Sequence, residues 1–117
     1  MRTPLEVLAA MLEMFESGDA SQAPYVIAGD YLDHQGLDGR PLHGPDGFAE
    51  VVEVVQSAFP ELRISVLGHV SAEHRIAAVL EWTYSSEAGL KTRQTLEWLT
   101  VSGGKAIEHR GASIHPQ

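Results

Sequence analysis

RIAAVLEWTYSS (residues 75–86), EAG (87–89), LKTRQTLEWLTV (90–101), SGGK (102–105) and AIEHRGASI (106–114) read as three strands joined by two short turns. Strand side chains alternate between faces, so Ile76, Ala78, Leu80, Trp82 and Tyr84 share one side of the first strand. Ser102-Gly103-Gly104-Lys105 has the composition of a tight hairpin turn. Upstream, Leu62, Ile64, Val66 and, beyond Gly68, Val70 predict a further strand. The second half of the chain is therefore a run of four antiparallel strands.

The first half is mostly helical. Thr3 caps a helix, Pro4 suits its first position, and Glu6 stands three residues after Thr3 to complete a capping box. Leu5, Leu8, Leu12 and Phe15 follow at helical spacing, with Met11 beside them, and Ser17-Gly18-Asp19 ends the helix. A weaker helical segment covers Ser21 to Ala28. Tyr31 to His34 reads as a short strand. Gln35 to Gly44 holds four glycines or prolines in ten residues, which predicts a polar loop. Pro45 opens another helix, with Phe48, Val51, Val52, Val55, Ala58 and Phe59 on its apolar face, and Pro60 stops it. Helices set before an antiparallel sheet indicate an α+β fold. Three helices on a strongly bent antiparallel sheet form a cone, whose inner end can stay open as a ligand pocket.

Composition narrows the function. The 117 residues are read as one domain, 1–117, with 16 acidic and 8 basic side chains and a formal charge of −8. Basic residues stand singly, so nucleic acid and anionic membrane are excluded as expected partners. Zero cysteines remove a disulfide framework, a thiolate nucleophile and a Cys-based zinc site. The longest aliphatic run, Ile76 to Leu80, is far short of the roughly 18 residues of a spanning helix. Pro4, Glu6 and Glu13 interrupt any signal-peptide core. The expectation is a soluble, cytoplasmic protein.

Three strings carry a resemblance: Leu32-Asp33-His34, Gly44-Pro45-Asp46-Gly47-Phe48 and Ala58-Phe59-Pro60-Glu61-Leu62. With Gly104-Lys105 and Glu108-His109 in the last strand, the chain resembles the SnoaL-like polyketide cyclase family over about residues 5 to 114. The resemblance implies a nuclear-transport-factor-two-like (cystatin-like) α+β roll, shared with ketosteroid isomerase, scytalone dehydratase and limonene epoxide hydrolase. It implies a small apolar or aromatic, polyketide-like substrate and a homodimer paired through the sheets. Gly44-x-x-Gly47 lacks the rest of a phosphate loop and no dinucleotide fingerprint follows a strand, so no organic cofactor is expected. The resemblance also implies a Glu-His-Trp string with an acid–base Asp four residues after the Trp. Here those last two positions hold Arg110 and Ile114, and the short turn from Ser85 to Lys91 replaces a longer family hairpin.

Candidate catalytic residues are His34, Asp33 and Glu97. His34 occupies the family's pocket position and can move a proton near neutral pH. Asp33 resembles the base of ketosteroid isomerase, but adjacent strand residues face opposite ways, and His34 is the expected pocket residue. Glu97, between Leu96 and Trp98, can hold a proton in an aromatic setting and resembles that enzyme's protonated acid. It can equally be an exposed residue paired across the sheet. Trp82, Tyr84 and Phe15 are expected to contact substrate or simply fill the core. On the last strand either His109 or Arg110 enters the pocket. Arg93 or Arg110 can balance a buried carboxylate or bind an oxyanion. The six histidines show no zinc-binding spacing, so no metal is expected. The chain is therefore expected to catalyse cyclisation, isomerisation, dehydration or epoxide opening by acid–base chemistry. The alternative is a non-catalytic ligand-binding or dimerisation module. Leu96, Trp98 and Thr100 offer the apolar outer face a dimer needs.

Overall fold

The computed structural model describes residues 1–115. Helix α1 (Pro4–Ser17) begins on the capping box: Glu6 N–H donates to Thr3 Oγ1 at 3.2 Å and Thr3 N–H to Glu6 Oε1 at 2.9 Å. It ends at Gly18, whose φ of 75° lets its N–H reach the Met14 carbonyl at 2.8 Å. The buried stripe is Val7, Leu8, Met11, Leu12 and Met14, while Leu5, expected on that face, is 37% exposed. Helix α2 (Ala23–Val26) is one turn, shorter than the expected segment.

Strand β1 (Ile27–Leu37) and strand β2 (Arg40–His43) replace the loop expected over residues 35–44. The turn between them is Asp38-Gly39, both with positive φ (52° and 73°), as a right-twisted two-residue hairpin requires. Pro41 is tolerated because β2 is an edge strand. Helix α3 (Gly44–Ala58) follows, burying Phe48 and Val52.

The remaining strands are β3 (Arg63–Ser71), β4 (Arg75–Ser86), β5 (Gly89–Ser102) and β6 (Lys105–Ile114). The sheet order is β2-β1-β6-β5-β4-β3. The fold is the expected α+β class, helices packed on one curved sheet. One pairing differs: β1 runs parallel to β6, so the sheet is mixed. The parallel pairing follows from chain path. After β1 the chain adds β2 on one side of it, lays down β3, β4 and β5 away from it, and returns with β6 to its other edge. Tyr31, Phe48, Ile76, Leu80 and Leu99 anchor the core between helices and sheet. No helix among the described residues is long and apolar enough to cross a membrane.

Candidate active site

Strand alternation puts three polar groups into one end of the helix-covered face. Asp33 on β1 lies opposite His109 on β6, and Glu97 on β5 lies opposite Gly111 on β6. His109 Nδ1 is 2.9 Å from Asp33 Oδ1, and its Nε2 is 2.5 Å from Glu97 Oε1. Both carboxylates are buried, at 6% and 8% exposure. One imidazole thus bridges two buried acids.

Local backbone geometry holds this arrangement. Gly36 has φ 52°, and a Cβ there would sit 1.9 Å from the Arg40 carbonyl oxygen. This glycine allows the register shift between Asp33 and Leu37. The Gln35 and Gly36 amides then donate to Asp33 Oδ1 at 3.0 and 3.3 Å. On β6 the missing Cβ of Gly111 leaves room for Glu97 Oε1 and Gln35 Oε1, which would lie 2.9 and 2.6 Å from such an atom.

The electrostatics follow from the bonding. Burial pulls the His109 pKa down most strongly, but hydrogen bonds and charges from Asp33 and Glu97 together outweigh it and raise the pKa to about 9. His109 is therefore an imidazolium at neutral pH. Burial also pushes the Asp33 carboxyl up, yet the His109 bond and charge and the two amides leave its pKa below the usual value. The Tyr31 phenol, buried nearby, is shifted upward by desolvation and by the two carboxylate charges.

The triad closes one end of a cavity of about 220 Å³. Its walls come from α1 (Leu8, Met11, Leu12, Phe15), α3 (Phe48, Val51, Val55) and β4 (Leu80, Trp82). Phe15 packs against both Phe48 and Trp82, with ring centroids 5.2 and 5.9 Å apart. Trp82 Nε1 donates to Thr95 Oγ1 at 2.8 Å, which satisfies the indole inside the apolar wall.

Asp33, Glu97, His109, Trp82 and Phe15 line the cavity. The expectation that His34 rather than Asp33 faces it is corrected. His34 points to the other side of the sheet, where Nε2 meets Glu108 Oε2 at 2.8 Å. Arg110 likewise lies on the outer side, 3.9 Å from Glu108 and 60% exposed, so His109 is the inward residue of that strand. Tyr84 stands outside the wall, packed on Phe59 at 4.6 Å. Sequence reading did not single out Tyr31, Gln35 or Thr95. Tyr31 and Gln35 share strand parity with Asp33, and Thr95 with Glu97, which was the available signal.

The model of the SnoaL-like polyketide cyclase family matches residues 5–112. The chain belongs to that family. Among solved structures, the SnoaL-like polyketide cyclase of Agrobacterium tumefaciens is 16% identical with a TM-score of 0.80, covering 97% of this chain and 93% of its own. IdmH of Streptomyces antibioticus, a candidate polyketide cyclase, is 21% identical with a TM-score of 0.79, covering 94% and 91%. AclR of Streptomyces galilaeus, a candidate hydroxylase, is 18% identical with a TM-score of 0.73, covering 92% and 73%. These likenesses establish the fold. No curated protein matches. Against the SnoaL-like pattern, the position implied for the acid–base Asp holds Ile114, on the sheet's outer side and 39% exposed. The acids in this SnoaL-like cavity come from β1 and β5 instead.

Proposed function

We propose that this SnoaL-like chain is a cofactor-independent enzyme that enolises and cyclises a small apolar or aromatic, polyketide-like molecule. The observation that supports the reading most is the imidazolium held between two buried carboxylates at the end of an apolar cavity. Asp33 accepts three hydrogen bonds on Oδ1 and is acidified, so it serves as the anchor that keeps His109 protonated and oriented. Glu97 accepts one hydrogen bond, from His109, and its Oε2 takes part in no bond to a described residue. Glu97 is the proposed base.

In the proposed cycle, Glu97 removes a proton from the carbon between two carbonyls. The neighbouring imidazolium charge stabilises the enolate without leaving its place. The enolate carbon attacks a third carbonyl of the same molecule, forming the ring bond, and the resulting alkoxide recovers the proton from Glu97. Apolar walls exclude water that would otherwise quench the enolate. We further propose that two copies pair through the outer sheet face at Leu96 and Trp98.

The test is proton exchange. Aromatic β-diketones that carry a third carbonyl on a side arm are incubated in D₂O and followed by NMR for α-deuteration and ring closure. Glu97→Gln is expected to lower both rates by about 10²–10⁴-fold, the usual contribution of a positioned base. Wild-type protein that leaves both at the buffer rate would favour the non-catalytic ligand-binding or dimerisation module instead.

A further inference from the structure

The cavity has two charged ends. Its charged lining residues are Asp33, Glu97 and His109 at one end and Arg93. Arg93, Thr95 and Glu97 are alternate residues of β5 and all contribute to the lining. Four residues of strand separate Arg93 from Glu97, which is about 13 Å. The guanidinium carbon sits over the Phe59 ring, 5.3 Å from its centre, so an exposed Arg93 rests on an aromatic face at the cavity mouth. Phe59 is itself fixed between Trp82 and Tyr84, with ring centroids at 6.5 and 4.6 Å. Among the described residues Arg93 forms no salt bridge.

A chain of net charge −8 otherwise repels anions, so a stacked cation without an acidic partner at the cavity mouth is a local exception. Its fork geometry suits a carboxylate in two parallel hydrogen bonds. We infer that the substrate is an acid: an apolar ring system lies between the walls, its enolisable carbon at Glu97, and a carboxylate at the far end is held by Arg93. The span fits a molecule of about two fused rings with a short acidic arm. The same span keeps the carboxylate away from Asp33 and Glu97, whose charges would repel it. This inference rests on reading the cavity as a small-molecule site.

The test is calorimetric titration of 2-naphthylacetate and of its methyl ester at neutral pH. Wild-type protein is expected to bind the acid at least tenfold more tightly than the ester. Arg93→Gln should bind the two equally. Arg93→Lys should keep part of the preference, because it retains charge but loses the fork and the stacking. Rising salt should weaken the acid and leave the ester unchanged. Equal binding by wild type, or a preference that survives Arg93→Gln, overturns the inference and leaves the cavity reading standing. Binding of neither ligand overturns both.

Discussion

His109 carries the charge balance of the site, and its titration must appear in stability. Its folded pKa, about 9, lies above the ordinary value of 6.5. The stability it contributes is fully present below about pH 6.5 and is lost as pH rises through 9. Asp33 acts in the opposite direction, because its folded pKa is lowered. Its contribution is present above 3.8 and is lost as pH falls through the folded value. Urea unfolding of the wild type should therefore weaken between pH 7 and 10, by an amount on the order of 3 kcal/mol. His109→Gln should be less stable at pH 7 and lack that alkaline decline, and parallel curves for the two proteins would refute the assignment. Sequence reading reached Glu97 and offered His109, yet favoured His34 over Asp33. Two adjacent titratable residues on a strand differ only in parity, and parity is fixed by partners. Here those partners are the β6 register and the bulge at Gly36.

At the scale of elements, the sites on β1, β5 and β6 depend on two glycines as much as on the acids. Long strands and the Gly103-Gly104 turn were legible because alternation and turn chemistry are local. The β1–β2 hairpin was not, since its glycines and Pro41 look like loop composition. Asp38-Gly39 was the hairpin signal within it. The parallel β1–β6 pairing was also illegible, because it joins residues about 76 positions apart (Asp33 and His109). Gly111 tests the consequence. A methyl group there must displace Gln35, the end of a flexible chain, and Glu97, which is pinned to His109. Gly111→Ala should therefore destabilise the fold by about 1–3 kcal/mol, as overpacking does. Its proton-exchange rate should fall toward that of Glu97→Gln. Thermal unfolding and the D₂O assay read the two effects separately, and a variant with unchanged exchange would show that Glu97 does not need that space.

The whole molecule presents two faces of different character. Helices cover the inner face and leave the cavity. On the outer face, Trp98 and Leu96 stand 43% and 47% exposed at the middle of the sheet, beside Ala77 and Val79 on one side and Arg110 and Ala112 on the other. Hydrating a half-exposed indole amid small apolar side chains is unfavourable, and burial returns about 25 cal/mol per Å². A two-fold contact lets one such patch cover its own copy, with Arg110 and Glu108 of each protomer able to cross to the other at its edge. The same β5 strand then serves both faces: Arg93, Thr95 and Glu97 line the cavity while Leu96 and Trp98 meet the partner. Pairing would stiffen the strand that carries the proposed base without adding any group to the cavity. Sedimentation at low micromolar concentration should give a dimer for the wild type and a monomer for Trp98→Glu, since an interface carboxylate without a partner is costly to desolvate. A monomeric wild type would remove the outer face from the account and leave the cavity chemistry to stand on each chain alone.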